Sequence, residues 1–451
     1  MVTQSPVNVF LFMVFLELVA LSSGEFLKHP LLQRTPRPSP SEALSQDIRR
    51  LNSLLRRPPA ITSPIISGAS SGTGQYFVTL HLGSPPQRLN LVADTGSDLI
   101  WAKCSACTNC SAHYRRSYFL VRHSSSFRSH HCYSDACRLV PHSHDDRVCN
   151  LTRLHSSCRY EYSYSDGSVS AGFFASETAT LNTSFNRVVE LRNLDFGCGF
   201  QVAGPSVTGA SFHGAQGVLG LGRGDISFSS QLGRHFGNKF SYCLMDYTLS
   251  PSPTSFLTIG GDENATVLPS AYVSFTPLLT NPISPTFYYI SIQTISVGGE
   301  RLPVSPSVWS LDEIGNGGTI IDSGTTLTFL AKPAHAQVLA AMRKRVRLPS
   351  TAVLTPGFDL CVNVTGLGRK SVMAALPKLT LRLRGGAVMV PPPRNYFIPT
   401  AEGVRCLAIL AVTAEGSSSV IGNLMQQGFL FEFDRDRSRL GFSRHGCSLS
   451  L

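Results

Sequence analysis

LVADTGSDLIW (91–101) returns, 228 residues further along the chain, as TIIDSGTTLTF (319–329). In both copies apolar residues lead into Asp-Thr/Ser-Gly. Such a run sets a carboxylate at the end of a buried strand, the glycine lets the chain turn sharply, and the Ser and Thr hydroxyls are suited to local bonds in the turn. One Asp-Thr-Gly is a common turn. Here each copy is also followed by an apolar-apolar-glycine strand, Val218-Leu-Gly-Leu-Gly222 and Val420-Ile-Gly-Asn-Leu424, which makes the pair an internal repeat. The interval from Asp to Gly is 126 residues in the first copy (94 to 220) and 100 in the second (322 to 422). The excess of 26 has a home in residues 104–158, which hold seven of the twelve cysteines. The pattern predicts a duplicated β-lobe, residues 71–270 and 271–451, with an insertion at 104–158 decorating only the first.

The rest of the chain agrees with an all-β-dominated fold. Of 451 residues, 42% are hydrophobic and only 15% charged, so a large core is available; 38 Gly and 28 Pro punctuate short apolar stretches, as strands and turns require. QYFVTLHLG (75–83) and QRLNLVADTG (87–96) alternate as strands, and Ser84-Pro-Pro between them predicts a hairpin turn. Ahead of the lobes, Val9–Leu21 is nearly all apolar, interrupted by Glu17, and is followed by Ser22, Ser23 and Gly24. This reads as an export signal over 1–24, too short to span a membrane. Residues 25–70 are basic and Pro-rich, with one helical pattern, SEALSQDIRRLNSLLRR (41–57), stopped by Pro58 and Pro59. They are expected to be a removable pro-segment, with Arg49, Arg50, Arg56 and Arg57 facing carboxylates near a cleft until acid protonates them. An even count of cysteines fits disulfides in an oxidising compartment. The N-x-S/T triplets at Asn109, Asn150, Asn182, Asn264 and Asn363 fit glycosylation there.

A formal charge of +11 raises the question of nucleic acid. The one dense basic spot within the lobes, Arg343, Lys344, Arg345 and Arg347, closes an amphipathic pattern of Val338, Leu339, Met342 and Val346. A helix C-terminus favours cations, so a solvated helix end explains it, and no nucleic-acid-binding signature accompanies it. In the insertion, Cys104-x-x-Cys-x-x-Cys110 and seven of the thirteen histidines (113–155) raise zinc as an alternative. Export, the even cysteine count and the lack of an H-x-x-x-H spacing favour disulfides.

From Gly74 to Cys447 the sequence resembles the pepsin family, and most closely its plant nucellin/nepenthesin-like branch. The motifs are DTGSDLIW (94–101), YSYSDGS (162–168), GVLGLGRG (217–224), IIDSGTTLTFL (320–330) and VIGNLMQQGFLFEFDRDRSRLGF (420–442). The resemblance implies a bilobal double β-barrel with pseudo-twofold symmetry and a central cleft. Asp94 and Asp322 are then the catalytic pair on turns formed by Gly96 and Gly324, with Ser97 and Thr325 bracing them. Tyr164 would be the flap tyrosine, although Ser165 follows it where the family usually has Gly, and Trp101 the buried tryptophan behind the flap. It also implies the disulfides Cys104–Cys107, Cys110–Cys198, Cys132–Cys158, Cys137–Cys149, Cys243–Cys447 and Cys361–Cys406. The expectation is a secreted aspartic endopeptidase, monomeric, acting on peptides or proteins without metal or other cofactor and without nucleic-acid or membrane partners. The alternative is a non-catalytic glycosidase inhibitor or cell-wall-binding protein on the same scaffold, since relatives include inhibitors of wall-degrading glycosidases; such proteins need not keep both turns, and both are intact here.

Overall fold

A computed structural model describes residues 60–67, 74–108, 118–142, 156–164, 166–182, 188–208, 212, 215–246, 255–260, 273–351, 357–412, 416–444 and 447. All of them belong to one compact unit spanning Ser45–Leu451. The expected signal peptide, most of the pro-segment and the sequons at Asn109, Asn150 and Asn264 lie outside the described residues. Asn363 is exposed at the end of strand Cys361–Asn363, and Asn182 ends strand Val169–Asn182.

Strands dominate. The predicted hairpin is formed by Tyr76–Leu82 and Gln87–Asp94, antiparallel, closing at Leu82 opposite Gln87. Tyr76, Val78, Leu80 and Leu82 line one face and are all buried, as a period of two requires. The strand carrying Asp94 then runs parallel to Gly217–Gly220, with Asp94 opposite Gly220. The second half repeats the device: Thr319–Ile321 lies between Tyr289–Ile290 and the parallel strand Ser419–Ile421. A parallel pair cannot be joined by a tight turn, so each half must make a long excursion between its Asp strand and its Gly strand. The 126- and 100-residue intervals are those excursions.

The two halves are also joined by a sheet. In the first half's 14-stranded sheet, Lys239–Cys243 pairs with Leu430–Asp434, which pairs with Arg439–Ser443 and, through it, Ser274–Pro277. Ala60–Ser67, inside the expected pro-segment, is hydrogen-bonded in the same sheet between Tyr76–Leu82 and Ser255–Gly260. The basic cluster has the position read from sequence: helix Lys332–Arg345 buries Val338 and Met342 and carries Arg343, Lys344 and Arg345 in its last turn.

Four of the expected disulfide pairings are corrected. Cys243–Cys447 and Cys361–Cys406 are present, but Cys104 is bonded to Cys198 and Cys137 to Cys158. Cys104–Cys107 fails because the Cys104 sulfur is already bonded to Cys198. Strand Trp101–Thr108 runs parallel to Val188–Ala203 with Ala102 opposite Cys198, which brings Cys104 to Cys198 and takes Cys198 from Cys110. Cys132–Cys158 fails on register: the Cys158 amide bonds to His130 and that of Cys132 to Ser156. Cys158 is instead covered by the turn Ala136–Leu139, which carries Cys137 and so excludes Cys137–Cys149. Cys132 is also disulfide-bonded.

Candidate active site

Asp94 and Asp322 end their two strands and meet. Both are 8% exposed, and the charge of Asp322 acts on the Asp94 carboxyl. Each turn is built alike: Asp94 Oδ1 accepts the Gly96 amide at 2.9 Å and its Oδ2 the Ser97 hydroxyl, while Asp322 Oδ1 accepts the Gly324 amide at 2.8 Å and its Oδ2 the Thr325 hydroxyl. Gly96 and Gly324 are needed for space. A Cβ on Gly324 would lie 2.2 Å from Asp94 Oδ1, and one on Gly96 2.9 Å from Asp322 Oδ1. Each carboxyl therefore packs on the backbone of the other turn.

The middle residues of the two turns were expected to bond within their own turns; instead they bond across the pair. The Thr95 amide donates to Ser323 Oγ at 3.1 Å, and the Ser323 amide to Thr95 Oγ1 at 2.9 Å. Their hydroxyls then donate to the carbonyls of Ile321 and Ala93, at 3.2 and 2.8 Å. All four bonds are buried, so breaking one strands a polar group away from water. Thr95 and Ser323 were missed as individual residues; their place in both copies of the repeat was the available signal.

Burial first, and then the charge of Asp322, push the Asp94 carboxyl up to about 7. Two carboxyls this close cannot both ionise cheaply, so the pair holds one proton between them, behaviour for which aspartic proteases are the standard case. The second turn is also supported from below: Gln426 donates to the Asp322 carbonyl at 3.0 Å, and Asn423 to the Ser323 carbonyl at 3.0 Å.

Tyr164 and Trp101 are brought together. Strands Arg159–Ser163 and Val169–Asn182 form a hairpin whose turn runs from Tyr164 to Ser168, with Gly167 at φ +80°. Gly167 and Asp166 supply the turn without a glycine directly after Tyr164: the Gly167 amide bonds to the Tyr164 carbonyl at 3.0 Å, and Asp166 Oδ1 accepts the Ser168 amide at 2.9 Å. The Trp101 indole N–H donates to Tyr164 Oη at 2.7 Å, and its fully buried ring stacks on Phe212 at 5.9 Å. Burial and the nearby Asp94 charge hold the Tyr164 phenol far above its ordinary range, so it stays neutral. Among the described residues no cluster of His, Cys, Asp and Glu is arranged to hold a metal ion, and no helix is long and apolar enough to cross a membrane.

Comparison with known proteins points the same way. Residues 76–261 match the family described as "Xylanase inhibitor N-terminal" and residues 287–444 the one described as "Xylanase inhibitor C-terminal". The chain is 38% identical over 433 residues to "Aspartyl protease family protein 2" of Arabidopsis thaliana, covering 92% of this chain and 82% of that protein. It is 33% identical over 441 residues to "Aspartic proteinase nepenthesin-1" of Nepenthes gracilis, covering 97% and 91%. Among solved structures it is similar to the crystal structure of edgp, with a TM-score of 0.69 and 24% identity over 87% of this chain and 97% of that one. Basic 7S globulin from soybean follows at a TM-score of 0.64 and 20% identity, over 86% and 96%. At these identities the two structures speak to the fold alone.

Proposed function

The chain belongs to the pepsin-like aspartic proteases, and from that premise we propose that Asp94 and Asp322 hydrolyse peptide bonds through a water activated between them. The observation that carries this is the mutual packing of two identically braced carboxyls. The ionised member takes a proton from water as its oxygen attacks the scissile carbonyl carbon, and the protonated member donates to the carbonyl oxygen. The resulting gem-diol collapses as the carboxyl that took the water's proton passes it to the leaving nitrogen, the other carboxyl takes a proton back from a diol hydroxyl, and the C–N bond breaks. Tyr164, anchored by Trp101, covers the bound peptide from the flap side and limits access of bulk water.

Secretion, glycosylation at the sequons and maturation from a precursor complete the reading. The strand Ala60–Ser67 favours a maturation cut ahead of Ala60, because a cut beyond it removes a strand hydrogen-bonded on both sides. Cleavage of denatured haemoglobin by the purified chain in acid, blocked by pepstatin and absent from Asp94→Asn, is the expected result. The family descriptions that name xylanase inhibitors favour a second reading, a glycosidase inhibitor on this scaffold. Xylanase inhibition at stoichiometric concentration, with no peptidase activity across pH 3–7, would establish that reading instead.

A further inference from the structure

Gly220, Gly222 and Gly224 all close on one residue, Asp98. A Cβ on Gly220 would sit 2.3 Å from the Asp98 carbonyl oxygen, one on Gly222 2.3 Å from Oδ1, and one on Gly224 2.5 Å from Oδ2. None of the three has a positive φ, so it is space, not backbone conformation, that demands glycine. Gly222 and Gly224 enclose the carboxylate, which has two donors: Gly224 gives its amide to Oδ1 at 2.8 Å, and Thr286, from the second half, its hydroxyl to Oδ2 at 2.6 Å. The Asp98 amide in turn bonds to Tyr162 Oη at 3.1 Å, on the strand that leads into the flap. The Tyr162 ring lies 5.3 Å from that of Tyr164. Thr286 is held from the other side too, since its carbonyl accepts the Arg223 amide at 3.0 Å.

Charged groups around Asp98 are few. Arg435 and Asp225 act on it from a distance, and the Arg435 guanidinium is engaged by the Arg223 carbonyl at 3.0 Å and Ser229 Oγ at 3.4 Å. Among the described residues Asp98 has no ion-pair partner, and it spends both oxygens on neutral donors from two different halves. It sits four residues past Asp94, on the same loop.

Resting on the reading of Asp94 and Asp322 as the catalytic pair, we propose that Asp98 is a positioning residue whose carboxylate ties the first catalytic turn to Thr286 and so fixes the spacing and plane of the two catalytic carboxyls. It touches no reacting atom. Its effect passes through the loop 94–98 on one side and the second half on the other, while its amide sets the flap strand against the same loop. In the glycine-rich run 220–224, Gly220 makes room for the Asp98 backbone, and Gly222 and Gly224 are the mould that holds its carboxylate in place.

Thr286→Val tests the tie without touching the catalytic turns, and Thr286→Ser restores the hydroxyl. In the mature enzyme, Thr286→Val is expected to lower kcat about tenfold, the size of one lost hydrogen bond to a charged acceptor, with KM changed less than about twofold. The alkaline limb of the kcat profile should move to lower pH, because a looser pair of carboxyls repels less. Thr286→Ser should be close to wild type, and adding Thr286→Val to Asp98→Asn should cost little beyond Asp98→Asn alone. Hydrogen exchange at amides 96–98 and 160–164, faster in Thr286→Val and not in Thr286→Ser, reads the tie on any folded sample. A Thr286→Val enzyme with a lower Tm but wild-type kcat and pH limb would overturn the proposal, as would unchanged exchange. A wild-type chain with no peptidase activity at all would instead count against the catalytic reading, and the exchange measurement then still decides the tie.

Discussion

The two aspartate turns are near copies, but their surroundings are not. Each places a carboxyl on the amide of a following glycine and the hydroxyl of the next residue, and each lends its middle hydroxyl to the opposite turn. Around the first stand the flap, the Trp101–Tyr164 bond, the Asp98 network and the cysteine-rich insertion. Beneath the second lie Gln426 and Asn423, whose side chains bond to its backbone carbonyls. Symmetry brings two equivalent acids together; asymmetry of the surroundings gives one face of the pair a cover and leaves the other to the protein interior. A single proton on two like carboxyls needs the first property, and selective access of a peptide needs the second.

The largest effect should come from the pair itself. Asp94→Asn and Asp322→Asn should each reduce kcat by at least about a thousandfold while the protein stays folded, and the double variant should be hardly worse than either. One single variant retaining near-wild-type turnover would show that the symmetry is not functional.

Disulfides compare the halves on stability. Cys104–Cys198 closes a separation of 94 residues and Cys361–Cys406 one of 45. Replacing either pair by alanine should cost up to about 4–5 kcal/mol, and the two losses should differ by less than about 1 kcal/mol, since chain entropy grows only with the logarithm of loop length. Denaturant unfolding measures this. A non-reduced peptide map should show Cys104 joined to Cys198, and recovery of Cys104 joined to Cys107 would reject the strand register at the edge of the insertion.

Next come the crossed hydroxyls. Thr95→Val and Ser323→Ala each strand a buried amide and should cost about 1–3 kcal/mol, whereas Thr95→Ser should cost far less. Equal losses from the two halves would sharpen the symmetry; a loss confined to one would break it.

The smallest effect is on pH. Burial raises the Asp94 carboxyl, and burial likewise raises that of Asp98. A raised carboxyl binds its proton more tightly folded than unfolded. Its contribution to stability is therefore complete below the unfolded value near 3.8 and is lost as pH rises through the folded value, about 7 for Asp94. Tm should fall by a few degrees between about pH 5 and pH 8, and Asp94→Asn should flatten that slope. A Tm that rises over the interval would contradict the assignment of the proton to the pair.

Much of this was readable in the chain. Apolar-apolar-Asp-Thr/Ser-Gly is a local instruction: a strand, a buried acid and a turn that only glycine fits, so a repeat of it announces both halves and both acids. The first hairpin is equally local, whereas Tyr164 and Trp101 were singled out only through the resemblance; the structure bonds them to each other. Partner choice at long range was not readable. Thr95 meets Ser323, Asp98 meets Thr286, and Cys104 meets Cys198 because of strand register and the way the halves face each other. The glycines of 220–224 show the same division. Their identity stands in the sequence, but their reason, room for an aspartate more than a hundred residues earlier, exists only once the parallel strand pairing has set Asp94 opposite Gly220. Local conformation follows from side-chain shape and backbone sterics, which each residue carries with it; contacts follow from packing, which no short stretch of chain contains.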